Sequence, residues 1–158
     1  MLHDDEINLV ARVVAARALL RQDQLDQGVV AAAYDQLLKV PEAECDPNID
    51  SRVEELDRGA AVEYGVKRLM INGAGVAWPL LVRIVELCPP DRRVLGSIGA
   101  GLFEDWVTED RVSAVEGELS SLLRSGPKWR VVAEESWDEP ASLVKLLSDQ
   151  KNLPLVPL

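Results

Sequence analysis

The chain carries one histidine, His3, two residues from its start, and two cysteines, Cys45 and Cys88, far apart and without Cys-x-x-Cys spacing. A histidine so close to a fraying end is a poor general base, so Ser–His and Cys–His nucleophile pairs are not expected. One histidine and two distant cysteines do not fill a zinc site. A carboxylate-bridged di-iron centre needs Glu-x-x-His pairs, and the sequence has none. The cysteines read instead as free thiols of a reducing compartment.

The most metal-like stretch is 46–57, Asp-Pro-Asn-Ile-Asp-Ser-Arg-Val-Glu-Glu-Leu-Asp, which sets oxygen side chains in a calcium-loop register. Ser51 stands where that loop needs glycine, Asp57 is shorter than the usual bidentate glutamate, and Pro41 stops the incoming helix early. An acidic linker leading into a capped helix accounts for the same letters. Gly96-x-x-Gly99-x-Gly101 lacks the strand before it and the Lys-Ser/Thr after it that a phosphate loop requires, so these glycines are expected to end a helix or to allow close helix contact. Adjacent carboxylates recur at Glu54/Glu55, Glu104/Asp105, Glu109/Asp110, Glu134/Glu135 and Asp138/Glu139. Neighbours on a helix point about 100° apart and do not converge on one atom. No catalytic residue, cofactor or metal is therefore expected.

What these acids do have is a distribution. The 158 residues hold 27 acidic and 17 basic side chains, a formal net charge of −10. Residues 42–57 carry seven acids against Arg52 alone, and residues 104–118 carry six against Arg111 alone. Trp137 lies within a third acidic patch, between Glu134, Glu135, Asp138 and Glu139. Such a field repels nucleic acid and speeds encounter with a basic protein, for which an aromatic supplies an anchor. Glu104, Asp105, Glu109, Asp110 and Trp137 are the expected partner-binding residues. Trp129 and Trp137, eight apart, have the competing reading of core anchors on one helix face.

The elements that must position these residues are helical. Alternating β-branched runs are scarce, whereas spacings of three and four recur throughout. A first helix is expected over Asp4–Gln22, with Asp4, Asp5 and Glu6 at the positive end of its dipole and an apolar arc wide enough to need cover on more than one side. Arg17 falls inside that arc and either snorkels outward, the simpler course, or finds a carboxylate. A second helix is expected over 26–40, then an acidic loop over 41–50. A third, Ser51–Asn72, starts on a Ser51-x-x-Glu54 capping pattern, with an interruption at Gly59 as one option. The fourth, 76–88, is the strongest core element, carrying Trp78, Leu80, Leu81, Ile84 and Val85.

Beyond Pro89-Pro90 come a short helix over 91–98, a turn at Gly99-Ala100-Gly101, and a short apolar turn with Phe103 and Trp106. A helix capped by Thr108 carries Val112, Val115, Leu119 and Leu123 up to Gly126. Two more helices are expected over 128–136 and 140–149, with Pro140 at a first helical position, then an extended tail over 151–158. The sum is an all-α fold, a compact bundle of about seven or eight short helices in helical hairpins. It reads as a single domain, 1–158, with the loop 41–50 as the place for any subdivision.

The order of motifs over residues 74–137 resembles a family of small bacterial helical domains of unknown function. The Trp78 helix and a Pro/Asp corner are followed by Ile98-Gly99-Ala100-Gly101-Leu102-Phe103-Glu104-Asp105-Trp106, a charged helix, and a segment with Trp129, Arg130 and Trp137. Here Leu102 and Trp106 stand where that family's pattern has proline and leucine. The resemblance implies an all-α bacterial protein and brings no catalytic residues.

With no apolar run of membrane-spanning length and an acidic opening unlike a signal peptide, a cytoplasmic protein without direct membrane or nucleic-acid contact is expected. The function expected is a non-catalytic acidic protein that binds a partner with a basic surface, most sharply an immunity protein blocking a toxin. The alternative is a carboxylate-based enzyme or a cation-binding sensor. A homodimer through the tail or the fourth helix stays open.

Overall fold

Asp91 shows how local chemistry starts a helix of this protein. Its carboxylate accepts the backbone N–H groups of Arg93 (2.8 Å) and Val94 (3.3 Å), donors that the first helical turn leaves without partners. The Arg93 N–H, above all, holds that carboxyl below its ordinary value, against the opposing effect of burial. Thr108 does the same by accepting from the Arg111 N–H, and Pro127 opens another helix at its first position.

The computed structural model describes residues 4–22, 51–137 and 139–151, with side chains of 20–22 and 51–61 left aside. The expected helix over 26–40, the acidic loop 41–50, residues 46–50 of the metal-like stretch and the side chains of its remainder, the Ser51/Glu54 cap, His3, Cys45 and the tail from 152 lie outside what it describes. Among the described residues the fold is all-α, a compact bundle with no strand. The elements are α1 (Asp4–Gln22), α2 (Ser51–Asn72), α3 (Ala77–Leu87), α4 (Arg92–Ile98), a π-helical turn (Gly99–Phe103), α5 (Glu104–Trp106), α6 (Glu109–Ala114), α7 (Glu116–Ser125), α8 (Pro127–Glu134) and α9 (Ala141–Gln150). None of these helices is long and apolar enough to cross a membrane.

Helix α1 packs against α2, α3 and α4, and its run Val13–Ala16 is buried on consecutive positions, as an arc covered from several sides requires. Arg17 does not snorkel: its Nε donates to Glu63 of α2 at 2.6 Å. Helix α2 runs through Gly59 without a break. At its end Gly73 takes φ +63°, the left-handed conformation that stops a helix.

Arg111 seals that helix end. Its guanidinium donates to the carbonyls of Met70 (2.9 Å), Ile71 (3.0 Å) and Trp106 (2.8 Å), so one side chain terminates both α2 and α5. A Cβ on Gly73 would lie 2.5 Å from Arg111 Nε. Gly73→Ala is therefore expected to lower stability by about 2–3 kcal/mol, from the left-handed φ and from displaced hydrogen bonds. In urea titrations the loss should shrink in an Arg111→Met background; an equal loss in both would show that the arginine contact contributes nothing.

Besides Arg17, the structure departs from the sequence expectation at three places. Gly99-Ala100-Gly101 forms no turn: Gly99 keeps right-handed helical dihedrals (φ −62°, ψ −53°), and a π-helical turn carries α4 straight into α5. The Glu104 N–H reaches back to the Gly99 carbonyl, the wide-turn bond of a π-helix. The helix expected from Thr108 to Gly126 is two, parted at Val115 (φ −118°, ψ 17°), because α6 packs on α9 while α7 packs on α8 as well. Pro140 precedes α9 as its extended N-cap (φ −63°, ψ 156°).

Candidate functional site

Four large aromatics gather at the centre of the bundle. Trp78 of α3 stacks on Trp106 of α5 with ring centroids 4.8 Å apart, and Trp129 of α8 lies 5.3 Å from Trp78. Phe103 closes the group, 5.9 Å from Trp106 and edge-on to Trp129 at 6.2 Å. All four are buried. The one polar atom Trp78 carries, Nε1, donates to Glu118 Oε2 at 2.8 Å, so the indole is buried with its hydrogen bond made. This cluster holds the rods together and offers no reaction chemistry.

Cys88 is equally inert. It is 1% exposed, and burial pushes its thiol up to about 12 against the opposing charge of Lys128. A neutral buried thiol is no nucleophile. The ammonium of Lys128 caps α3, donating to the carbonyls of Glu86 and Cys88. Among the described residues, no three His, Cys, Asp or Glu side chains come together to hold a metal.

The four expected partner-binding carboxylates lie on α5 and α6, and the structure gives them unequal tasks. Glu104 accepts the Trp137 backbone N–H at 3.3 Å. Its neighbour Asp105 turns to Lys67 of α2, 3.8 Å away in a solvated ion pair. Glu109 accepts the Ser142 N–H at 3.0 Å and so caps α9, which has no side-chain cap of its own. Asp110 stays exposed. Adjacent acids thus diverge, as helical geometry demands, and no two aim at one point. Arg111, the only base between residues 104 and 118, is turned inward to carbonyls.

Trp137 parts from Trp129. Helix α8 ends at Glu134, Ser136 is buried, and the chain then turns outward, leaving Trp137 84% exposed while Trp129 is 4% exposed. The eight-residue spacing would have placed both on one face only had the helix continued. Lys67 and Glu118 escaped the reading of the sequence, because their partners lie far along the chain and no local pattern joins them. Exposed Tyr64 and Ile71 sit on α2, on the same side as Lys67 by helical spacing.

Comparisons with protein-family models, curated proteins and solved structures give no match.

Proposed function

We propose that this chain is a non-catalytic, acidic protein-binding protein that covers the basic surface of a partner, in its sharpest form a bacterial immunity protein that neutralises a toxin. The observation that carries the reading is Trp137, 84% exposed and held to Glu104, in a protein whose acidic segment 104–118 has its one base turned inward. A net charge of −10 supports it by steering a cationic protein and repelling phosphate. The resemblance of residues 74–137 to small bacterial helical domains supplies the bacterial part of the proposal, and the predicted compartment is the cytoplasm.

The reading is tested by capture from the native host at low salt, followed by stopped-flow association with the protein captured. The partner is expected to be cationic, and its association rate to fall at least about tenfold between 0.05 and 0.5 M salt, taken as approximate limits. Asp110→Lys should slow association further with the far-ultraviolet circular dichroism unchanged, because the Asp110 side chain is exposed. A partner of neutral or acidic surface, or association indifferent to salt and to Asp110→Lys, would discard it.

A further inference from the structure

Five large hydrophobic side chains are exposed among the described residues, and Trp137 at 84% stands well beyond the next, Tyr64 at 64%. The other three tryptophans already account for the aromatic core, so Trp137 has no packing task. Its backbone is nevertheless held in place. The Trp137 N–H donates to Glu104 Oε2, Ser136 before it is 5% exposed, and α9 just after it is fastened by Glu109. An aromatic ring presented from a backbone already ordered costs little further entropy on binding.

The charges that flank Trp137 in the chain have one sign. The stretch 134–139 carries four acids and no base. Arg130, a turn earlier, is directed to the Gln150 carbonyl at 3.3 Å. Glu135 leans towards Gly96 of α4 and Gly99 of the π-helical turn, while Glu134 and Glu139 remain exposed. An indole face within a negative field suits a cation, and among side-chain cations the planar, weakly hydrated guanidinium both stacks on the ring and forks to carboxylates.

We propose that Trp137 is the stacking platform for an arginine of the partner protein, with Glu134 and Glu139 receiving its N–H groups. The proposal rests on the basic-partner reading and names the group by which that partner is recognised. A lysine at the same place keeps the charge but loses the stacking plane and the fork.

The test uses the full chain, nitrogen-15 labelled at low salt, titrated with two peptides of equal charge, acetyl-Gly-Arg-Gly-Arg-Gly-amide and its lysine counterpart. The indole N–H signal of Trp137 is assigned by its loss in Trp137→Phe. The arginine peptide should shift that signal and bind roughly two- to five-fold tighter than the lysine peptide. Trp137→Ala should bring both peptides to the affinity of the lysine peptide, and Glu134→Gln with Glu139→Gln should weaken both. Equal affinities, or shifts at the amides of Asp110 and Glu116 with the Trp137 indole unmoved, would overturn the stacking site. That result would leave the basic-partner reading standing, since the captured partner and its salt dependence judge it separately. Absence of binding by either peptide would also overturn the stacking site.

Discussion

Gly99→Ala is expected to destabilise this protein by about 3 kcal/mol, the upper end for overpacking a close contact. A Cβ at Gly99 would fall on the carbonyl oxygen of Val132, and would also lie 3.1 Å from the Val132 carbonyl carbon and 3.0 Å from Glu135 Cβ. The obstacle is mainly the backbone of α8, which cannot swing aside as a long side chain can. Either α4 and α8 separate, losing burial of Val132 and Ile98, or the π-helical turn unwinds. Gly101→Ala is the internal control, in the same turn but with nothing within 4 Å of its Cβ. It should be neutral or stabilise by up to about 1 kcal/mol, because alanine lowers the entropy of the unfolded chain. Urea unfolding measures both. Equal losses in the two variants would mean that the turn, not the approach of α8, sets the cost.

The second large effect belongs to Trp78. Trp78→Ala should cost about 3–5 kcal/mol, the range for removing a buried aromatic, and lower Tm by roughly 6–20 °C for a domain of this size. Trp78 touches both Trp106 and Trp129, and its loss also leaves Glu118 without the indole donor. Trp137→Ala, by contrast, should stay within about 0.5 kcal/mol of the parent, as surface substitutions do. Thermal unfolding of the two variants side by side separates the tryptophan that builds the fold from the one offered to a partner. A comparable loss in both would place Trp137 in the structural set and remove the platform on which the binding proposals depend.

Helix identity was plain in the letters wherever apolar residues recur at three and four and an end signal is local. The bounds of α1 and α2 fall where Asp4-Asp5-Glu6, Ser51 and Gly73 lead one to expect them. The caps at Asp91 and Thr108 depend on donors two or three residues away and are equally legible. The break at Val115 is not, because spacings of three and four run through a one-residue kink unchanged. Nor is the π-helical turn, since glycine between two helical stretches reads the same whether it ends a helix or lets another helix close upon it.

For the candidate site the division is sharper. That residues 104–118 are acidic, and that a tryptophan lies within 134–139, is composition and follows from the letters alone. Which of those carboxylates are engaged internally was decided by packing: Glu104 meets the Trp137 N–H, Glu109 caps α9, and Arg111 turns away to close α2. Charge and periodicity are properties of neighbours in the chain, so this protein's helicity and negative field were settled there. The exposure of Trp137 and the burial of Trp78, Trp106 and Trp129 depend on contacts between residues dozens of positions apart, and only the assembled bundle brings those together.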